Sequence, residues 1–336
     1  MADTQCSCGI DVHAHVVPHS FPSYLGSIVP PNWPSMAPAH ECHRHVMISG
    51  KVYRTVSDRC WDVSKRIADM DETAMKIQVI SPMPELLSYW MDARPAQQLL
   101  RYINEQLAEM VGYAGGRMAA LGAVPLQDVD LAIKELRHLK ETLGFSGVEL
   151  GSNINGKPIG DPVFLPFFEA ASDMGASIFV HAVKPSGMER LVGPPQLQQA
   201  LAYPSDVGLA AASVITSGLL ERHPKLRIAF SHGGGTLASL LPRLEQAQQV
   251  FPALADSINT PVRSVAQKMY YDALVFDMPT LRHLVQMFGD DRIMIGTDYP
   301  FVFRDKKPVE RLFDAIGDHA VRERILHLNA KAFLAI

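Results

Sequence analysis

The stretch Ile10-Asp11-Val12-His13-Ala14-His15-Val16-Val17 sets the reading of everything after it. An apolar run with so few polar interruptions is the mark of a strand buried on both faces, as in a parallel sheet. Side chains alternate along a strand, so His13 and His15 share a face with their Cα atoms roughly 7 Å apart. Two neutral imidazoles at that separation converge on one borderline metal ion above the strand's end. Two surface histidines in a loop carry the same H-x-H pattern, so the pair alone does not decide between a metal site and a loop.

Working outward, similar apolar runs recur at 77–82, 118–125, 147–151, 177–183, 226–232, 269–275 and 293–299. Between them, 94–113, 128–143, 162–174, 206–222, 237–248 and 279–287 place apolar residues at i, i+3 and i+4, the period of a helix with one buried face. Eight strands alternating with helices predict a (β/α)8 TIM barrel. A doubly wound sheet is the competitor, but no G-x-G-x-x-G turn follows the first strand. The segment from about 18 to 60 is rich in Pro, His and Gly and breaks the alternation. It reads as an insertion over the barrel mouth, with short strands around 46–56. No repeat, low-complexity tract or linker divides the chain, so residues 1–336 are expected to form a single barrel domain carrying that insertion.

The 336 residues are 47% hydrophobic, enough for the core of one large barrel or two ordinary domains. A net charge of −4 with no basic run excludes an electrostatic surface for nucleic acid or anionic membrane. No apolar stretch approaches 18 residues and no basic-then-apolar leader opens the sequence, so a cytoplasmic protein with no membrane partner is expected. Of the four cysteines, Cys6 and Cys8 are too close for an easy mutual disulfide. Reduced thiols at Cys6, Cys8, Cys42 and Cys60 are expected.

In such a barrel the chemistry lies at the C-terminal ends of the strands. The polar groups there are His13 and His15 on the first strand, His181 on the fifth, His232 on the sixth and Asp298 on the eighth. A single polar residue closing a buried strand is ordinary. Five metal-competent groups at the same ends of four strands are not.

The I-D-x-H-x-H opening, the lone histidines of strands five and six and the aspartate ending strand eight resemble the amidohydrolase superfamily. Further matches are Gly50-Lys51-Val52-Tyr53-Arg54, Cys60-Trp61-Asp62, Met70-Asp71, Ser88-Tyr89-Trp90, His232-Gly233-Gly234-Gly235 and Gly296-Thr297-Asp298-Tyr299-Pro300-Phe301. They narrow the resemblance to the decarboxylase branch of the 2-amino-3-carboxymuconate-6-semialdehyde decarboxylase type, over essentially the whole chain. The resemblance implies that His13, His15, His181 and Asp298 hold one Zn²⁺ per chain, or another divalent ion such as Mn²⁺. A water would complete the shell, and a bound water of this kind can be acidified toward neutrality. It also implies that His232 is the acid/base group, with Asp298 beside it in catalysis. Arg54 would grip a substrate carboxylate, helped by Lys51, and Arg243 would come from the neighbouring subunit of a homodimer. A guanidinium suits that task because its planar fork meets a carboxylate bidentately and stays charged. The implied activity is a metal-dependent, non-oxidative decarboxylation of an unsaturated or aromatic carboxylic acid in aromatic catabolism. The alternative is a Zn-dependent hydrolase or hydratase acting on a related ring-cleavage product.

For Gly233-Gly234-Gly235, an ordinary strand-to-helix turn and a close backbone approach to the site are equally good readings. Trp61 and Trp90 read as core packing. The sequence departs from the branch after His181, where the pattern Pro-Trp-Asp and an aromatic loop give way to the shorter Ala182-Val183-Lys184-Pro185-Ser186-Gly187-Met188-Glu189-Arg190. Loops after strands set specificity in this fold, so the muconate semialdehyde itself is not the expected substrate. An acid with two acidic groups, or one carboxylate beside a hydroxyl or amine, fits the arginines, with Lys184 and Arg190 adding positive charge near the mouth.

Overall fold

The computed structural model describes residues 8–336, so the thiol expected at Cys6 lies outside the described residues. The first strand, β1 (Gly9–Val16), leads into an antiparallel sheet of β2 (Ser35–Pro38), β3 (His43–Ile48) and β4 (Lys51–Ser57). The barrel resumes with β5 (Met75–Pro82), β6 (Met118–Gly122) and β7 (Gly147–Gly151). A two-residue hairpin, β8 (Asn153–Ile154) and β9 (Lys157–Pro158), precedes β10 (Ser177–His181), β11 (Arg227–Phe230), β12 (Tyr270–Asp272) and β13 (Ile293–Met294). The eight barrel strands run parallel in the order β1-β5-β6-β7-β10-β11-β12-β13. The ring closes where Val12 N donates to Ile295 O (2.9 Å) and Asp298 N to His13 O (2.8 Å). This is the (β/α)8 barrel that the alternation predicts.

Helices cover the outside: α1 (Val63–Glu72), α2 (Ala93–Tyr113), α3 (Val129–Glu141), α4 (Leu165–Asp173), α5 (Tyr203–Thr216), α6 (Leu219–Arg222), α7 (Leu237–Val250), α8 (Pro252–Ser257), α9 (Val262–Ala266), α10 (Met278–Phe288), α11 (Pro308–Ala315), α12 (His319–Glu323) and α13 (Asn329–Leu334). In α2 the buried side chains Leu99, Ile103, Leu107 and Met110 recur at helical spacing. Asp128 caps α3 by accepting from Leu131 N at 3.0 Å, which satisfies one of the amides left free at a helix start. The helix expected over 206–222 is two helices, because Gly218 takes a left-handed φ of 68° that cannot continue α5. Several strands stop short of their apolar runs. Ala123, Val124, Ala182, Val183 and Leu274 stay buried after leaving the ladder, since burial sets apolarity and hydrogen bonding sets the strand.

The ladder of β1 against β5 slips between Asp11 and Ala14. Strict alternation would send Val12 and His13 to opposite faces. Here Ile10 and Val12 join Val79, Leu121 and Phe179 in the barrel's interior, and the His13 ring also meets Phe179, at 5.1 Å. Local irregularity of this kind re-aims side chains beside active sites. Beneath that layer, Phe333 and Leu334 of α13 close the barrel's N-terminal end.

Candidate active site

At the opposite end, β1, β10 and the turn after β13 bring four ligand-capable side chains together. One atom each from His13, His15, His181 and Asp298 lies within 4.8 Å of the others. The Nε2 atoms of His13 and His15 are 3.1 Å apart, and Asp298 Oδ1 is 3.1 Å from His15 Nε2 and 3.6 Å from His13 Nε2.

The proton positions follow from the outer bonds. His13 Nδ1 is 2.7 Å from Asp272 Oδ2, His15 Nδ1 is 3.2 Å from Pro82 O, and His181 Nδ1 is 2.8 Å from Ala182 O. Each oxygen accepts a hydrogen bond from the Nδ1–H, which leaves three Nε2 lone pairs facing inward. Burial, reinforced by the neighbouring imidazoles, holds His13 far below the ordinary histidine range. Burial takes His15 down to about 3 and His181 to about 4. The three rings are therefore neutral, and His181 Nε2 is buried with no hydrogen-bond partner. Three lone pairs and a carboxylate aimed at one point are all acceptors, an arrangement that a divalent cation satisfies. Burial pushes the Asp298 carboxyl up to about 7 against the pull of His181 and Arg54, and a cation there would favour its ionised form.

His232 stands beside this group, its ring centroid 5.0 Å from that of His181 and 5.4 Å from that of His13. Its Nδ1 meets Ser231 Oγ at 3.0 Å. Burial, reinforced by the neighbouring His181 and His13 imidazoles, holds it well below the ordinary range, so it is a neutral base. His232 and Asp298 both have left-handed backbones, with φ of 55° and 64°. Such conformations cost of order 1–3 kcal/mol each and cluster at functional sites. The glycines after His232 make a strand-to-helix turn packed tightly on α5 rather than an approach to the site: a Cβ on Gly235 would sit 1.8 Å from Pro204 O, at the start of that helix. Gly233 N donates to Asp272 Oδ1 at 2.8 Å, so one carboxylate anchors both this turn and His13.

Arg54, on β4, reaches the same small cavity as His15, His181, His232 and Asp298, with its guanidinium stacked 4.4 Å above the Phe301 ring. Together with Phe301 and Phe303 it also borders an adjoining cavity of about 570 Å³ under the antiparallel sheet. The chain does not bring its own Lys51 or Arg243 there. Lys51 is exposed at the start of β4, and Arg243 lines a separate groove on α7 with Leu209, Leu240 and Leu244. Lys184 lies over the Trp90 ring at 3.7 Å, while Arg190 is exposed beside Glu189.

Sequence reasoning missed Asp272, Glu149 and Glu85. Asp272, the last residue of β12, and Glu149, in the middle of β7, are fully buried, and Glu149 Oε2 lies 3.8 Å from His15 Nδ1. The available signal was a lone charge inside an apolar run, in Tyr270-Tyr271-Asp272-Ala273-Leu274 and Gly147-Val148-Glu149-Leu150-Gly151.

The amidohydrolase profile matches residues 10–336. The chain belongs to the amidohydrolase family. Within that family it is 33% identical to a 2-amino-3-carboxymuconate-6-semialdehyde decarboxylase of Dictyostelium discoideum, with 98% of this chain and 92% of the relative aligned. Its fold matches the apo form of IDCase from Metarhizium anisopliae with a TM-score of 0.81 at 23% identity, covering 98% of this chain and 97% of the other. It also matches a 5-carboxyvanillate decarboxylase of Novosphingobium aromaticivorans complexed with manganese and 4-hydroxy-3-methoxy-5-nitrobenzoic acid, with a TM-score of 0.78 at 20% identity, covering 99% of this chain and 97% of the other. This amidohydrolase is an enzyme that cleaves a carbon–carbon bond, and the hydrolase alternative finds no support. Among the described residues, no helix is long and apolar enough to cross a membrane.

Proposed function

We propose that this enzyme is a metal-dependent, non-oxidative decarboxylase of an unsaturated or aromatic carboxylic acid, working in aromatic catabolism in the cytoplasm. The observation that carries the reading is the convergence of three imidazole lone pairs and the Asp298 carboxylate on one point, with His232 beside them and Arg54 across the cavity. His13, His15, His181 and Asp298 are the ligands, and their mixed nitrogen and oxygen set suits zinc, with manganese as the other candidate. When bound, the ion supplies a fixed positive charge that orients the substrate's oxygen atoms and stabilises negative charge developing on them.

Arg54 holds a carboxylate against the Phe301 face, which favours a flat, conjugated frame. Neutral His232 first takes up a proton from solvent water and then delivers that proton from Nε2 to the carbon bearing the departing carboxylate, so the replaced C–CO₂ bond becomes a C–H bond. The C–C bond breaks, its electron pair returns to the conjugated system, and CO₂ leaves. Asp272 holds His13 in its ligand tautomer throughout.

Arg243 belongs, in this reading, to the neighbouring site of a homodimer. It lies in a groove between α5 and α7 with Leu209 and Leu240, which are 61% and 51% exposed, and a second copy covers that face. The test is a panel of hydroxy- and amino-substituted benzoic and muconic acids assayed for CO₂ release before and after chelation. Chelator-sensitive release from at least one acid is expected. No release across the panel from the metal-loaded enzyme sinks the reading.

A further inference from the structure

The cavity walled by His15, Arg54, His181, His232 and Asp298 holds only about 30 Å³, room for one or two water molecules or a single carboxyl group. Its far wall is held in place. Tyr203 Oη donates to Glu85 Oε1 at 3.0 Å, and Pro84 limits the freedom of the turn that carries Glu85. A benzene ring needs a cavity on the order of 150 Å³. The reacting end of an aromatic acid therefore fits here and its frame does not.

Two larger spaces adjoin. One of about 230 Å³ borders His232 and Asp298 and does not include Arg54. The other, of about 570 Å³, shares Arg54, Gln199, Phe301 and Phe303 with the small cavity. A ligand whose carboxylate is held by Arg54 extends into this second chamber. A ring takes up about a quarter of its 570 Å³, and the remainder is space for a substituent.

The walls say what kind of substituent. They come from β4, from the loop after β10 and from the segment after β13, and include Val56, Leu197, Ala200, Pro300, Phe301 and Phe303. The polar side chains among them are neutral or, at His43, an imidazole. Among the described residues Arg54 is the only Lys, Arg, Asp or Glu on the lining. At the mouth Val302 and Phe303 are 91% and 47% exposed, apolar surface that an apolar ligand would cover. The loop after β10 is the stretch where the sequence departs from the branch, and residues 182–202 contain no aromatic side chain. Gln199 and Ala200 lie in Gln198–Ala202, a turn wound wider than an α-helix, of a kind frequent at functional sites.

We infer that the outer chamber is a subsite for an apolar arm. The substrate has its charged end at Arg54 and an uncharged substituent of several carbon atoms lying along the loop after β10. This deepens the proposed function and rests on its reading of Arg54 as the grip on the substrate carboxylate.

The experiment is calorimetric binding of 2-hydroxybenzoate and its 4-, 5- and 6-alkyl derivatives, methyl through pentyl, to the manganese-loaded enzyme. The enzyme is used as it assembles, so an Arg243 reaching the site from a neighbouring copy is present in every measurement. At one ring position or more, affinity should rise about tenfold or more from methyl to pentyl, well within the roughly fourfold per methylene of full burial. Ala200→Trp fills the chamber and Leu197→Glu puts a charge on its wall. Each should cut that gain to about threefold or less. Val192→Trp, on the same loop but outside the chamber and 93% exposed in the wild type, should leave the gain intact. The inference is overturned if no acid of the series binds, or if affinity is flat with chain length at all three positions. It is overturned equally if the gain survives in whichever chamber variant folds, or if Val192→Trp removes it as fully. CO₂ release is scored separately. Release with no gain from the arm leaves the proposed function standing and removes the subsite. The gain in binding with no release from any acid keeps the subsite and removes the function.

Discussion

The two ends of this barrel are built on the same strands and solve opposite problems. At the N-terminal end Ile10, Val79, Leu121, Phe179 and Met294 meet Phe333 and Leu334 in a buried, largely apolar plug. At the C-terminal end, only a few residues along the same strands, the side chains are His13, His15, His181 and Asp298, whose inward atoms repel one another unless a cation joins them. The difference teaches that stability and chemistry are separable here. One end gains by excluding water, and the other keeps unpaired lone pairs, two strained backbones and a carboxyl raised by burial.

The comparison breaks most sharply if the ligand end is emptied. His181→Ala should abolish CO₂ release and weaken metal binding more than the 10- to 100-fold that losing an outer-shell partner costs. Metal content by elemental analysis checks this, and a variant that keeps a full complement of tightly bound metal contradicts it. Phe333→Ala attacks the other end. It should cost about 3–5 kcal/mol of unfolding free energy in urea, while metal affinity of the folded protein stays unchanged. A parallel fall in metal affinity would show that the two ends are coupled after all.

His232→Ala sharpens the picture within the ligand end. It should lower kcat by roughly 10²-fold or more with metal content intact, and loss of the metal instead would make His232 a ligand. The smallest effect concerns pH. In the metal-free protein the Asp298 carboxyl titrates at about 7. Below that value metal binding must expel a proton, so affinity should fall about tenfold for each unit of acidification below pH 7 and level off above it. Manganese titrations at pH 6 and 8, with proton release followed by calorimetry, test the sign. Affinity that rises in acid contradicts it.

What the sequence disclosed at each end follows from the same contrast. The barrel was readable because apolar runs buried on two faces look alike wherever they occur, and the candidate ligands because histidines interrupt those runs near their ends. Asp272, Glu149 and Glu85 escaped because a lone carboxylate in or after an apolar run says nothing of what lies across the barrel. Asp272 gains its meaning from His13, and Glu85 from Tyr203 and Arg54, all distant in sequence. The helix α1 escaped for a different reason. Its apolar stripe is only Val63, Ile67 and Met70, and it is interrupted by buried Arg66, whose guanidinium donates to Gln78 Oε1 at 2.7 Å and to His15 O at 2.9 Å. The plug residue Phe333 sits in a short terminal helix whose partners are the first residues of strands made far earlier, and local pattern cannot reveal that.

The seam where β1 meets the residues after β13 has a consequence for the making of the protein. His13 and His15 lie on the first barrel strand and Asp298 follows the last, so they leave the ribosome well before Asp298 does, and the bonds from Val12 to Ile295 and from Asp298 to His13 form only when the two meet. A nascent chain carries the three imidazoles long before it owns Asp298, the fourth candidate ligand, or the strand that steadies the first two. Closing so long a loop is slow and is rewarded only at the last step. If the four groups hold an ion as proposed, tight metal uptake marks a closed barrel, and the ion retained after dialysis would count closed barrels.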